Sequence, residues 1–356
     1  MKQHNRKRFL CSKIFDIIGR FSVILTALLL TCTGSGTAQR ETVYMAVLSS
    51  FRSIQKVGAD PGFGLFVSSD AGISWEHRGW RDYIRTFYSE EGYDGTIWSA
   101  CGNGVLRSTD GGKRWKVTTG WEVTEVLKVK AALQVPSLVF ASTAYGIFRS
   151  TNRGETWEKK AQGMLRPFSG DVCIDRTDPR HVIAATEEGV FLSEDGGEHW
   201  RQSGVAGKGV RVVMQDAHDA RRFWVGTEED GVFCSSDRGR RWERRSYGLR
   251  HSAVYAISLH PRYKDWIYIG TYGDGVLRST DAGMHWEGCS NGLGDLRVHS
   301  LLVLPSNPNV LLAGTLNRGL FRSTNGGKTW RYSCRDSSQV WGLSVMYVGR
   351  KNRQQD

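Results

Sequence analysis

The chain has 356 residues, 48 of them Lys or Arg and 36 Asp or Glu, and a formal net charge of +12. In an exported protein such a charge favours anionic lipid headgroups, acidic glycans or acidic protein faces as partners, and no nucleic-acid-binding motif accompanies it. Beyond residue 38 the cysteines are Cys101, Cys173, Cys234, Cys289 and Cys334, an odd set without paired or metal-ligand spacing, which excludes a disulfide framework and gives no sign of a metal or cofactor.

Residues 1–38 read as an export signal. Lys2, Arg6, Lys7, Arg8, Lys13 and Arg20 form a basic leader before an apolar run from Phe21 to Leu30. That run is about half of the roughly 20 residues a spanning helix needs, so the segment is expected to be cleaved. Gly36 and Ala38 suit a cut after Ala38, and Cys32 offers a lipoprotein-type cut in front of it; the residues leave both open. Without the leader the net charge is +7.

The remainder, 39–348, is dominated by one repeated segment, Gly-apolar-apolar-x-Ser-x-Asp/Asn-x-Gly-x-x-Trp. It runs from Gly64 to Trp75, Gly104 to Trp115, Gly146 to Trp157, Gly189 to Trp200, Gly231 to Trp242, Gly275 to Trp286 and Gly319 to Trp330. Its serines recur every 40 to 44 residues, the length of one four-stranded propeller blade. Each repeat reads as an apolar strand, a second strand ending near Gly-Thr, the segment's own hairpin, and a polar strand after Trp. Repeat six shows the scheme as Val254 to Leu259, a turn at Pro261, Trp266 to Thr271 and Gly275 to Ser279. Repeat seven follows it with Val298 to Leu304, Val310 to Thr315 and Gly319 to Ser323.

The first repeat opens directly on a second-type strand, Thr42 to Val47, while an unpartnered first-type strand, Val340 to Val348, is left at the other end. The economical solution is an all-β, seven-bladed propeller of four antiparallel strands per blade, closed by the C-terminal strand joining the first blade, which hides both sheet edges. Residues 349–356 form a polar tail.

Within the segment, Asp70, Asp110, Asn152, Asp195, Asp237, Asp281 and Asn325 are expected to accept hydrogen bonds from backbone N–H groups two or three residues on. Gly72 and its six equivalents supply the positive φ that closes the turn. Trp75, Trp115, Trp157, Trp200, Trp242, Trp286 and Trp330 lay their rings over it. These residues are structural.

Candidate binding residues come from loops on the face opposite these turns. Loops leading to inner strands carry Arg81, Trp121, Arg211, Arg250, His251, Arg297, His299 and Trp341, and loops between second and third strands add Tyr145 and Tyr272. Carboxylates stand among them at Glu187, Glu188, Glu228, Glu229, Asp230 and Asp274. Such a basic, aromatic rim suits anionic or carbohydrate groups. The longer loop from Ser49 to Phe63, with Phe51, Arg52 and Lys56, is a place for partner-specific contact. Arg107, Arg149, Arg278 and Arg322, each just before the segment's serine, are expected to pack along a neighbouring strand and pair locally.

Together these segments resemble the Asp-box or bacterial neuraminidase repeat family of propellers, matched seven times over nearly the whole chain after the leader. The resemblance implies the fold more firmly than an activity, because sialidases, sortilin-type receptors, xyloglucanase-type glycosidases and photosystem II assembly factors all use the unit. A sialidase-like hydrolase would need three arginines, a Tyr–Glu nucleophile pair and an Asp acid/base, and the Arg-Ile/Leu-Pro motif of that family is missing; Leu165-Arg166-Pro167 does not match it. A single ring with a leader is closest in layout to the photosystem assembly-factor type. The expectation is a monomeric, exported, non-catalytic binder of a protein or membrane-protein complex, with an acidic glycan as another partner class and a glycoside hydrolase as the alternative function.

Overall fold

The computed structural model describes residues 40–49, 62–80, 84–249 and 253–348. The leader, the tail, most of the Ser49 to Phe63 loop and the rim residues Arg81, Arg250 and His251 lie outside the described residues. Within them, 28 strands form seven four-stranded antiparallel sheets, and no helix is long and apolar enough to cross a membrane.

Blades two to seven are simple meanders whose inner strands are Thr86–Glu91, Val126–Ala131, Ser169–Ile174, Val210–Gln215, Val254–Leu259 and Val298–Val303. Blade one takes its inner strand, Ser338–Val348, from the far end of the chain and pairs it along Arg40–Ser49, from Arg40 opposite Val348 to Ser49 opposite Ser338. Both strands of this closure run longer than the apolar pattern alone predicts. The outer strands are short, two residues in five blades and four in the other two, leaving little exposed edge for another chain to pair with.

The core is a ring of layers between blades. Second strands such as Val182–Thr186 are buried at every residue because a neighbouring blade covers each face, which explains their unbroken apolar runs. One layer packs Val212, Trp224 and Val232 of blade five against Val254, Ile257, Ile267 and Trp286 of blade six. The layer that closes the ring packs Leu302, Leu312 and Leu320 of blade seven against Val43, Phe66, Val340 and Leu343 of blade one.

The repeated turn has a different hub from the one its sequence suggests. In the first blade the buried Ser68 hydroxyl donates to Asp70 Oδ1 (2.8 Å) and accepts from Gly72 N (2.9 Å), while Asp70 Oδ1 accepts from the amides of Ile73 and Ser74, three and four residues on (3.1 and 2.9 Å). Two successive residues adopt positive φ, Ala71 at 60° and Gly72 at 77°. A side chain at position 72 would in addition strike Leu312 of blade seven, 2.8 Å from its Cβ, so glycine serves both turn and packing.

The tryptophans and arginines of the segment join blade to blade. Trp115 donates to Arg78 O (2.8 Å), Trp286 to Arg245 O (2.9 Å) and Trp330 to Cys289 O (2.6 Å), each a carbonyl of the preceding blade. Arg149 donates to Gly196 O and Glu198, both at 2.7 Å, and Arg322 to Ala71 O (3.0 Å), each in the turn of the next blade. Arg278 stays within its own blade, paired with Glu287 and set over Trp266.

These turns make the ring acid-sensitive. Partial burial would raise the Asp70 carboxyl, but the hydroxyl and amide of Ser74, Ser68 and the Ile73 amide outweigh it and hold it at about 2. Asp195 and Asp281 are likewise held at about 2, burial being outweighed by the amide and ring of His199 and of His285. Carboxyls depressed in the folded state stabilise it above their unfolded value of 3.8 and lose that contribution as pH falls toward 2. The melting temperature is therefore expected to fall between about pH 4 and pH 2, and the triple change of Asp70, Asp195 and Asp281 to Asn to flatten that fall. An unchanged acid slope in the triple variant would remove the turns as its cause.

Candidate functional site at the mouth of the central channel

The inner strands share a defect that builds the site. In each, one residue is skipped in the pairing with the second strand: Thr86 and Tyr88 oppose Cys101 and Ala100, leaving Phe87 extra. The same shift leaves Leu127, Gly170, Arg211, Tyr255, His299 and, in the closing strand, Trp341. Such bulges re-aim side chains at rims. Here the seven extra residues stand at one level, where the inner strands begin, and form a collar around the mouth of the channel.

Four of them and one neighbour make a continuous aromatic arc across four blades. Phe87 meets Trp341 edge-on at 5.6 Å between ring centroids, Trp341 lies 4.4 Å from His299, His299 4.7 Å from Tyr255, and Tyr255 6.0 Å from Tyr272. Burial, with Arg211 adding to it against Asp295, lowers the His299 imidazole to about 4, so at neutral pH it is an uncharged ring within the arc. Arg211, on the blade next to Tyr255, extends the collar past that end of the arc, 5.7 Å from the Phe168 centroid and ion-paired with Glu228.

Of the rim residues read from sequence, the structure brings together Arg211, Tyr272, Arg297, His299 and Trp341. It leaves Trp121 and Tyr145 apart, 90% and 53% exposed and in no ring contact among the described residues. Among the described residues the positive charges of the mouth are ion-paired: Arg297 is held by Asp295 (2.8 Å), Lys208 by Asp230 (2.6 Å) and Arg211 by Glu228. Loop carboxylates two residues before, or one blade hairpin away, supply the counter-charges. The mouth is an ion-paired collar with an aromatic arc.

Below the collar lies a cavity of about 410 Å³ lined by all seven inner strands. Its wall is divided. Blades two to four contribute Tyr88, Glu90, Lys128, Lys130 and Asp171, whereas blades five, six, seven and one contribute Val212, Met214, Ala256, Leu302 and Leu343. Lys130 donates to Glu90 and to the Tyr88 hydroxyl, both at 2.7 Å, and Glu90 also accepts the Ala131 amide (2.9 Å). Asp171 accepts the amides of Val172 (2.8 Å) and Val213 (3.2 Å) and faces Lys128 at 3.6 Å. None of these channel residues was singled out from sequence, nor were Phe87, Phe168 and Tyr255. A signal existed: aligning the seven inner strands on their leading Thr, Ser or Val puts Phe, Leu, Gly, Arg, Tyr, His and Trp in the next column and Tyr, Lys, Asp, Val, Ala, Ser and Gly in the one after it, two adjoining positions that differ in every blade.

The channel does hold a Tyr–Glu pair, Tyr88 with Glu90 at 3.1 Å. Lysines rather than arginines surround it, and burial, opposed by Lys130, pushes the Tyr88 phenol above its ordinary range, away from nucleophilic use. Glu90 and Asp171 are committed to lysines and backbone amides. Cys173, on the same wall, is pushed up to about 12 by burial, an unreactive thiol at neutral pH. Among the described residues no group of three His, Cys, Asp or Glu side chains comes together as a metal site.

No family model matches the chain, and no curated protein matches it. Solved structures do. A GH74 enzyme of Niastella koreensis has a TM-score of 0.64 at 14% identity over 83% of this chain and 55% of its own. YCF48 from Cyanidioschyzon merolae has a TM-score of 0.58 at 13% identity over 77% of this chain and 98% of its own. An extracellular domain from B. thetaiotaomicron has a TM-score of 0.60 at 14% identity, over 80% of this chain and 40% of that one. This chain spans between 36% and 55% of the length of the GH74 enzymes it matches. At these identities the likeness is one of fold, and it joins the chain to propellers of enzymatic and non-enzymatic use alike.

Proposed function

We propose that this chain is an exported, non-catalytic propeller that captures a segment of a partner protein across the mouth of its channel and so supports the assembly or stability of an envelope or membrane complex. The aromatic arc carries this reading. Five adjoining rings, rigid and partly buried, offer a large apolar contact at low entropic cost, and Arg211 and Arg297 at its edges add directed polar contacts. Another solved structure, YCF48 bound to D1 peptide, matches the chain with a TM-score of 0.53, so a propeller of similar fold holds a peptide. Export rests on the leader, with Cys32 as a lipid attachment point if the cut falls before it. The glycoside hydrolase alternative needs a free acid and a free nucleophile, whereas Glu90, Asp171 and Tyr88 are tied to each other, to lysines and to backbone amides, and Glu91 accepts from the Tyr44 hydroxyl.

Capture from solubilised envelope, with the captured protein then purified and titrated, tests the reading. Trp341 is the largest ring of the arc and joins Phe87 to His299, so Trp341→Ala is expected to weaken binding by about 2 kcal/mol or more, roughly thirtyfold, while the isolated Trp121→Ala changes it little. Turnover of sialosides or β-glucans that is lost on Tyr88→Phe or Glu90→Gln would replace this function by the hydrolase.

A further inference from the structure

Two lysines face the same cavity and differ in how they are satisfied. Lys130 spends its donors on Glu90 and Tyr88 at 2.7 Å. Lys128 has three donors, yet its one ion-pair partner among the described residues is Asp171 at 3.6 Å, and its ammonium otherwise lies over the Tyr88 ring, 4.2 Å from the centroid. Asp171 in turn is shared with two backbone amides. The two lysines respond oppositely to the same enclosure. Burial lowers Lys128 even with Asp171 beside it, whereas Glu90, Tyr88 and Asp171 outweigh burial at Lys130 and raise it well above its ordinary value. Lys128 thus has fewer close partners than Lys130, with a side chain only 23% exposed and opening onto the channel, and Asp171 and Glu90 favour its charged form against burial.

Opposite it, the wall carries Met214, Ala256 and Leu302 beside the hydroxyls of Ser258, Ser300 and Ser344, with no side chain charged at neutral pH among the lining residues of blades five, six, seven and one. The cavity volume, about 410 Å³, falls in the range of small-molecule pockets. An anion with an apolar body fits both halves: its charge completes the shell of Lys128 and its body covers hydrocarbon that otherwise faces water.

The geometry points to a second binding site, inside the channel one level below the collar, for a small apolar carboxylate whose oxygens accept from Lys128 and whose hydrocarbon lies on Met214, Ala256 and Leu302. This site stands independently of the docking reading. Its residues are below the aromatic arc, and Trp341→Ala leaves Lys128 and the apolar wall in place.

Calorimetric titration of the full chain with hexanoate, acetate, hexan-1-ol and hexylammonium tests it. Hexanoate is expected to bind, with acetate, the alcohol and the amine each at least tenfold weaker. Lys128→Met should lower hexanoate affinity at least tenfold, with a smaller fall in melting temperature than Lys130→Met because Asp171 keeps its two backbone amides. Should that variant fail to fold, Met214→Glu, which sets a like charge beside the ligand's path, is expected to give the same loss from the opposite wall. Equal binding of hexanoate and hexylammonium, or hexanoate binding untouched in both variants, would overturn the site. So would binding of a leucine-terminated pentapeptide without hexanoate, since that would make the ligand a chain terminus held from the collar.

Discussion

Removal of residues 338–348 is expected to abolish the folded ring. The segment is the whole inner strand of blade one and pairs with Arg40–Ser49 along its length. It contributes Val340 and Leu343 to the layer shared with blade seven, the Val340 carbonyl to the Ser300 hydroxyl (2.9 Å), and the Ser344 hydroxyl to the Ser89 carbonyl of blade two. Its loss would leave Arg40–Ser49 as an inner edge, with unpaired N–H and C=O groups and two exposed apolar layers, a template for aggregation. Size-exclusion chromatography and thermal denaturation read the outcome; a truncated monomer that melts as the intact chain does would refute the closure. A finer probe is Gly342→Val. A Cβ there would stand 2.6 Å from the Phe87 carbonyl and 3.1 Å from Tyr88 Cα of blade two, so overpacking is expected to destabilise by about 1–3 kcal/mol.

The second large effect is expected inside the channel. Lys130→Met removes the cation from Glu90, whose side chain is only 16% exposed, and leaves it with the Ala131 amide and the Tyr88 hydroxyl. Breaking one side of a buried pair costs about 3–5 kcal/mol; both groups open on the channel, which places this pair near 3 kcal/mol. For a chain of this size the melting temperature should fall by roughly 6 °C or more. The double variant Lys130→Met with Glu90→Gln removes both charges and should recover most of the loss. Equal instability of the single and double variants would show that packing of the lysine stem, not the ion pair, matters there.

The two lysines of the channel also separate what is structural from what is available. Lys130, Glu90 and Tyr88 form a closed set of hydrogen bonds, so changing any of them tests the ring's stability first. Lys128 is held less completely, and for that reason its substitution tests binding. The aromatic arc differs again, because its rings pack on one another at the collar and offer their remaining faces to the mouth of the channel.

Most of the fold was legible because its signals are local. Ser68, Asp70, Gly72 and Trp75 lie within eight residues of one another, and the same turn chemistry is written seven times. The spacing of the serines sets blade length, and a leftover strand at each end, Thr42 to Val47 and Val340 to Val348, implies the closure. Even here the serine's part was hidden: its hydroxyl becomes the buried hub only when the turn curls back on it, so the aspartate looked like the sole cap. The candidate site was legible in part. His299, Trp341, Tyr272 and Arg211 could be placed on one face from loop order, but their neutralising partners and their neighbours could not.

The sequence by itself determined the repeat, the number of blades, the turn residues and the route of closure, since each depends on residues close in the chain or on a count. Tertiary structure alone decided the site. The bulge that turns Phe87, Arg211, Tyr255, His299 and Trp341 toward the axis is a slip of one residue against the second strand, which leaves no mark in local composition. Lys128 and Asp171, or His299 and Trp341, stand about forty residues apart in the chain and meet because the ring sets one blade's inner strand beside the next. Charge on one wall of the channel and uncharged side chains on the other is a property of that circular order.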